Sequence, residues 1–326
     1  MFVEGRKRSD INRPNSSPQT GILPVMRVPS NCQRNISLLT FDPDGDHVQC
    51  RHGSNSNECY TCTPPSVLSL SSSCSLSFSP TSSSYEGSYA VQLMMEDFPR
   101  QTITMTYYYY NSYSSTYKTT SKSSSSSMSR IPIQFVFKVD PAAPSCTAGE
   151  YLPRFLPPTP EHGAQFFIDV NEMIEINIRA EATQSEITEL LFSGPFNMTK
   201  SSSGSGYFTL RWTPSFSQYD DDETHPICFT VQANASSSVY QSELRCVLVT
   251  VSNIPATATP TPPPKPSRLT VVKLKISTTL PLKDNKDEIE KAIKDELIRR
   301  GLPADIKVRL LSDGSVQVKN QLPPSG

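Results

Sequence analysis

Apolar residues recur at alternate positions in short runs from Ile22 to Val251. Ile133, Phe135 and Phe137 alternate with Gln134, Val136 and Lys138, and Ile174, Ile176 and Ile178 alternate with Glu175, Asn177 and Arg179. Phe208, Leu210 and Trp212 alternate with Thr209 and Arg211. Successive side chains of a strand point to opposite faces, so each run predicts a strand with one face buried. Ile22–Val28, Ile36–Phe41, Leu76 with Phe78, and Tyr89, Val91 and Leu93 add strands to a first set. Phe166–Val170, Ile187–Phe192, Ile227–Val231, and Val247, Val249 and Val251 add strands to a second. Short strands separated by turn residues argue for β-sandwiches, one over residues 21–140 and one over 141–253. Trp212 shares a face with Phe208 and Leu210 and reads as a core plug. Residues 1–20 are polar and are expected to be disordered.

The periodicity changes after residue 253. Residues 254–267, with Ala256–Pro266 at their centre, are a Pro/Thr linker, extended and semi-rigid. Within 268–320, Val272, Leu274 and Ile276 alternate with Lys273 and Lys275, predicting a strand. Asn285 with Glu288 three residues on forms a capping box, Ile289, Ile293 and Leu297 share one helical face, and Gly301 ends the helix. Ile306–Leu310 and Val316–Val318 predict two more strands, and 321–326 is a tail. The order is β-α-β-β.

Composition narrows the class of function. Formal net charge is −1 and charged residues make up 19%, which leaves no electrostatic basis for binding nucleic acid. The chain has 36% hydrophobic residues and 29 prolines, so part of it is linker or loop, and the serine runs at 66–84 and 112–129 are the places expected. Eight cysteines spread over strand-rich sequence read as disulfides formed in an oxidising compartment. N-glycosylation sequons at Asn15, Asn35, Asn197 and Asn234 agree with that compartment. Met1–Asp10 has no apolar stretch of the signal-peptide kind, and no run of about 18 apolar residues is present to span a membrane. The expectation is a fragment of an extracellular or cell-surface protein whose signal peptide and anchor lie outside this chain.

Three short motifs carry a resemblance. Asp42-Pro43-Asp44-Gly45-Asp46, the strand entry Gly87-Ser88-Tyr89-Ala90-Val91, and Trp212-Thr213-Pro214 resemble cadherin-like, dystroglycan-type Ig-like repeats over about residues 21–253. Those repeats carry the Asp-rich turn and the Trp-Thr-Pro within one domain, whereas here the turn lies in the first set of strands and the Trp in the second. The 268–320 segment resembles the first half of a SEA module, with Gly314-Ser315-Val316 at that family's cleavage turn. The fold class expected is therefore mainly β: two tandem Ig-like/cadherin-like β-sandwiches and a small C-terminal α+β segment.

Candidate chemistry is sparse. Asp42, Asp44 and Asp46, completed by Glu96 and Asp97, could offer calcium the hard oxygen ligands it takes. The same residues suit a tight Asx-turn preset by Pro43, which is the more economical reading. No cofactor is required by the sequence, and calcium is the one it could accommodate. Cys59-x-x-Cys62 with His47 and His52 lacks the second pair a structural zinc site would show. Cys228 and Cys246 flank a loop symmetrically, so a hairpin would oppose them. In an Ig-like path Cys32 and Cys146 lie at one end of the first sandwich, which makes a clasp of the two plausible. Cys50, Cys59, Cys62 and Cys74 then pair among themselves in an open order. Tyr107, Tyr108, Tyr109, Tyr110, Tyr113 and Tyr117 have the rigid amphipathic rings of a contact loop, within the stretch 107–129. The alternative, a disordered low-complexity insertion, is favoured by the length of that stretch. Gly314 and Ser315 are either an autoproteolysis site or an Asp-Gly hairpin turn, and turn chemistry favours the second. Arg6-Lys7-Arg8 reads as a solvated tail or a basic processing site. No catalytic triad assembles. The expected function is a non-enzymatic adhesion or recognition ectodomain, with a protein or glycan partner at the cell surface or in the matrix. The alternative is a calcium-regulated or mucin-like matrix protein with a membrane-proximal SEA-like module.

Overall fold

The structure is a computed structural model, and it describes residues 1–111, 114–215, 223–252, 286–299, 306–310 and 316–320. The chain divides into two compact units, Met1–Pro255 and Ala256–Gly326. The first unit is mainly β and holds both sets of strands.

Twelve strands precede residue 141. They are β1 (Lys7–Arg8), β2 (Gln19–Thr20), β3 (Val25–Pro29), β4 (Arg34–Ser37), β5 (Thr40–Phe41) and β6 (His47–His52). They continue with β7 (Leu68–Leu70), β8 (Ser75–Phe78), β9 (Gly87–Phe98), β10 (Ile103–Asn111), β11 (Ser114–Lys122) and β12 (Arg130–Asp140). One sheet runs β3-β12-β9-β6, with β3 parallel to β12, and a second runs β4-β8-β7. Between them lies a core that the alternation dictates: Ile133, Phe135, Phe137 and Val139 of β12 and Val91, Leu93 and Met95 of β9 are buried with Ile36, Leu76 and Phe78. Phe78 and Phe137 join the two layers, their ring centroids 5.6 Å apart. Within the serine run 66–84, β7 and β8 belong to this sandwich, because Leu68, Leu76 and Phe78 turn inward between serines, and the rest of the run is turn and loop.

The second sandwich has β13 (Arg154–Leu156), β14 (Gln165–Asp169), β15 (Ile174–Glu181), β16 (Glu186–Ser193), β17 (Thr199–Gly204) and β18 (Tyr207–Trp212). It is completed by β19 (Glu223–Ala235), β20 (Ser238–Gln241) and β21 (Arg245–Ser252). Its layers are β13-β15-β18-β17 and β14-β21-β19-β16, with β14 parallel to β21 and β20 paired to β19. Ile174, Ile176, Ile178 and Ala180 face Ile227, Phe229, Val231, Val247 and Val249, and Trp212 is buried among them. Phe155 meets Phe229 edge-on at 5.5 Å across the layers.

The core of the first sandwich reaches into the second. Leu244 and the Cys228–Cys246 disulfide of the second are buried with Leu23 and Val28 of the first. The edge strand β3 presents backbone groups that a sheet edge leaves unpaired, and Gln241, itself 1% exposed, answers them as a third strand would. Its Oε1 accepts from Arg27 N at 2.7 Å, and its Nε2 donates to Val25 O at 3.4 Å and to Thr230 Oγ1 at 3.1 Å. Tyr151 and Tyr240 pack at 5.5 Å beside Cys32, whose bond to Cys146 ties the start of the first sandwich to the segment leading into the second.

Two segments differ from expectation. Residues 1–20 carry β1 and β2 and bury Glu4, Arg8 and Asn15, because Arg8 and Asn15 find partners on the first sandwich and Glu4 pairs with Arg6 beside it. The tyrosine-rich stretch is a regular antiparallel hairpin, β10 with β11, extending the sheet β1-β10-β11. Tyr and Thr are strong strand formers, and Ile103 and Met105 anchor the hairpin's base against Met128.

In the second unit the described residues form α1 (Lys286–Arg299) and the antiparallel pair β22 (Ile306–Leu310) with β23 (Val316–Asn320). Ile289 and Ile293 are buried on one helix face. The linker 254–267, the expected strand at Val272–Ile276, and Gly314 and Ser315 lie outside the described residues.

This junction sets a steric limit at Gly21, where an added Cβ would meet Cys228 Sγ at 2.6 Å. Gly21→Ala is expected to destabilise the first unit by about 1–3 kcal/mol through overpacking. Urea denaturation checks this, and an unchanged midpoint would show that the junction is looser than described.

Candidate functional site

The Asp-rich turn joins β5 to β6, and its geometry follows from its residues. Asp42 Oδ1 accepts from Asp44 N at 2.9 Å and from Asp46 N at 3.2 Å, an Asx-turn, while Gly45 N donates to Asp42 O at 3.0 Å. Gly45 takes φ +77°, a conformation glycine adopts without penalty. This fold of the chain turns Asp42 and Asp46 toward Asp97, at the end of β9. One carboxylate oxygen from each lies within 4.8 Å of the others.

Into this cluster the first strand inserts Arg8, whose side chain is 1% exposed. Its Nε donates to Asp10 Oδ1 at 3.0 Å and its Nη2 to Asp10 Oδ2 at 2.7 Å and Asp46 Oδ1 at 2.9 Å. Its Nη1 donates to Asn15 Oδ1 at 2.9 Å and to Asp46 Oδ2. All five guanidinium protons are used, in two forked carboxylate pairs and one amide contact, a geometry open to arginine and closed to lysine. Burial works against the charged guanidinium, but the hydrogen bonds and charges of Asp46 and Asp10 outweigh it and hold its pKa above the ordinary value.

The surrounding polar groups complete the network. Asn15 Nδ2 donates to Asp97 Oδ2 at 2.9 Å and to Ser16 O at 2.7 Å, and Ser129 N donates to Asp97 Oδ1. Ser16 N donates to Asp44 Oδ2 at 2.6 Å, and Arg13 pairs with Asp44 Oδ1 at 3.1 Å. One buried atom is left over: Asp42 Oδ2 has no hydrogen-bond partner. Burial pushes the Asp42 carboxyl up to about 7, against the backbone donors Asp46 and Asp44 and with the help of the Asp46 and Asp97 charges. Asp97 is raised as well, first by burial.

Of the five carboxylates named for calcium, Asp42, Asp46 and Asp97 converge. Asp44 turns to the N-terminal segment, and Glu96 does not join. Being next to Asp97 in a strand, Glu96 points to the opposite face, where it pairs with Arg51 at 3.1 Å and Arg130 at 3.4 Å. Three hard oxygen donors, one of them unpartnered, suit a calcium ion in chemistry, although Arg8 already supplies positive charge to Asp46. Sequence reasoning missed Arg8, Asn15 and Ser129. Nothing in a basic tripeptide or a sequon signals that it closes on an acidic turn 28 to 38 residues away. Arg8 is also shielded within β1, so Arg6-Lys7-Arg8 is no solvated tail.

All eight cysteines are bonded, as Cys32–Cys146, Cys50–Cys74, Cys59–Cys62 and Cys228–Cys246. Asn35, Asn197 and Asn234 lie at exposed positions, while Asn15 is 7% exposed and fully engaged with its neighbours. On the hairpin, Tyr108 and Tyr117 are cross-strand partners, 58% and 73% exposed, with ring centroids 5.3 Å apart. Tyr107 and Tyr109 lie on the other face, with Arg6 over Tyr107 at 5.5 Å and Lys118 over Tyr109 at 3.6 Å. The Tyr110 side chain and Tyr113 lie outside the described residues. His225 is half-buried in a strand. It stands on β19 with its ring 4.8 Å from Trp212, and burial lowers its pKa more than Glu223 raises it.

No family model matches the chain, and no curated protein matches it. Solved structures that match the chain weakly include the sialic-acid-binding region of a Streptococcus sanguinis adhesin (14% identity, TM-score 0.24, 95% of each chain covered). A titin fragment is matched at 8% identity and TM-score 0.21, covering 73% of this chain and 100% of that one. An endo-fucoidan hydrolase of glycoside hydrolase family 107 is matched at 14% identity and TM-score 0.23, and 72% of this chain covers 29% of the hydrolase. Likeness at these scores carries no argument about function, and the Ig-like description rests on the strand order above.

The raised Asp42 carboxyl has a readable consequence. The folded chain keeps this proton at pH values where the unfolded chain has lost it, so the contribution of Asp42 to stability falls as pH rises from about 4 to 7 and is level above. Asp42→Asn keeps the Oδ1 acceptor and removes the penalty. In chelator, its advantage should open across that window to on the order of 1–2 kcal/mol, reduced by solvent screening of a partly exposed group. Urea midpoints at pH 4 to 8 check this, and a wild type that gains on the variant as pH rises would contradict it.

Proposed function

We infer that the chain is a non-enzymatic extracellular glycoprotein, an adhesion or recognition ectodomain with a protein or glycan partner. The observation that carries the reading is the closure of all eight cysteines into four bonds on a paired β-sandwich, since such bonds persist in oxidising compartments. Exposed acceptors at Asn35, Asn197 and Asn234 support it. Tyr108 and Tyr117, a pair of exposed rings facing each other across the hairpin, are the contact surface, because such rings give area at small entropic cost. Among the described residues no helix is long and apolar enough to cross a membrane.

A second reading, a calcium-regulated matrix protein, is favoured by the unpartnered Asp42 Oδ2 beside Asp46 and Asp97. The comparison of wild type with Asp42→Asn, repeated in millimolar calcium, tests it. The wild type gains stability and the variant gains less, whereas equal midpoints with and without calcium exclude that reading.

The main reading is tested by non-reducing peptide mapping of protein from its native source, with binding of the secreted chain to cell-surface and glycan panels. The four bonds should be recovered, and Tyr108→Ala with Tyr117→Ala should reduce binding at least tenfold while leaving the melting temperature unchanged. Eight free thiols would overturn the assignment.

A further inference from the structure

At one end of the second sandwich, a groove of about 440 Å³ opens between the turn after β16 and the strands that carry Trp212 and His225. Phe196, Asn197, Trp212, Pro214, Glu223 and His225 are among its lining residues. Its size is that of a small-ligand pocket, roughly 300–1,000 Å³, and its lining has the usual make-up of aromatic surface with a few polar groups. Two features set it apart from an ordinary surface cleft. Phe196 is 88% exposed although it stands beside this groove. The next residue, Asn197, is the acceptor of Asn197-Met198-Thr199 and also lines the groove.

The turn that brings them together is well defined. Met198 N donates to Pro195 O at 3.3 Å, and Asn197 takes φ +65°, a left-handed conformation that asparagine tolerates better than most residues. Asn197 is therefore held at the tip of a closed β-turn, with its side chain exposed at the groove.

We propose that the occupant of this groove is the chain's own N-linked glycan, attached at Asn197, with its first N-acetylglucosamine lying on the Phe196 ring. The apolar C–H face of a pyranose matches an aromatic ring, and Glu223 and His225 offer polar partners for its hydroxyl and acetamido groups. Burial lowers the His225 pKa more than Glu223 raises it, which favours the neutral ring that can both donate and accept. Because the sugar is tethered beside its seat, its effective concentration there is millimolar or higher, and weak stacking is enough to hold it. This inference rests on the extracellular reading above and assigns Phe196 to the protein's own sugar instead of to an outside partner.

The test uses secreted full chain carrying Asn35→Gln and Asn234→Gln, with Phe196 or with Phe196→Ala, produced with high-mannose glycans. An endoglycosidase trims the glycan to one N-acetylglucosamine, and an amidase removes it whole. Trp212, the single tryptophan, reports the groove by its emission. With Phe196 present, the one-sugar form should melt with the untrimmed form, and complete removal should lower the melting temperature by about 2–4 °C and shift the emission. In Phe196→Ala, removal should change neither. A glycan on Asn197 whose removal leaves both readouts unchanged, or lowers them equally in both backgrounds, would overturn the proposal. In the unmutated chain, occupancy of Asn35 and Asn234 with none at Asn197 would overturn it alone. No glycan at any of the three would overturn the extracellular reading as well.

Discussion

Charge compensation of the acidic turn is the constraint on which the first sandwich depends. A carboxylate cluster that is partly shut off from water must be protonated, bind a cation, or be met by a charged side chain. This chain uses the third route. Arg8 satisfies Asp46 and Asp10 together, and Asn15 passes the network on to Asp97 and Ser16. One interaction thereby fixes the N-terminal segment, the turn between β5 and β6, the end of β9 and the start of β12. It leaves Asp42 Oδ2 as the one acceptor in the cluster without a partner, which is where the residual preference for a proton or a metal resides.

The second constraint is the core that reaches from the first sandwich into the second. A tandem pair of sandwiches joined by a free linker could rotate, but here Gln241 completes the edge of β3 and the Cys228–Cys246 bond packs against Gly21. A buried amide that answers both a backbone donor and a backbone acceptor carries orientation as well as energy, because a small rotation would leave several polar groups unpaired. Surfaces on the two sandwiches are thus presented in one fixed relation.

The fold was legible wherever one face of a strand is buried and the other is wet. Ile174, Ile176 and Ile178, or Phe208, Leu210 and Trp212, announce their strands through period two alone. The tyrosine hairpin was harder to read, because both faces of its distal half are wet and composition resembles that of an insertion. Its base is fixed only by Ile103 and Met105. The N-terminal segment was illegible for a different reason: its order comes from long-range ion pairs, and no local pattern encodes them. For the same reason the sequence could list the carboxylates near the turn but could not identify Arg8 as their counter-ion. Glu96 is the instructive exception, since its place beside Asp97 in a strand already excluded it from a site that Asp97 enters.

Hydrogen exchange of the Arg8 and Asn15 amides in chelator tests the central claim most directly. Arg8 N donates to Arg13 O at 2.9 Å and Asn15 N to Arg6 O at 3.2 Å, two bonds within a short segment that would open freely in water unless Arg8 and Asn15 hold it on the turn. If Arg8 is the cation of the cluster, both exchange slowly without calcium, with protection approaching that of the β9 and β12 core. Fast exchange in chelator that becomes slow only when calcium is added would contradict the account.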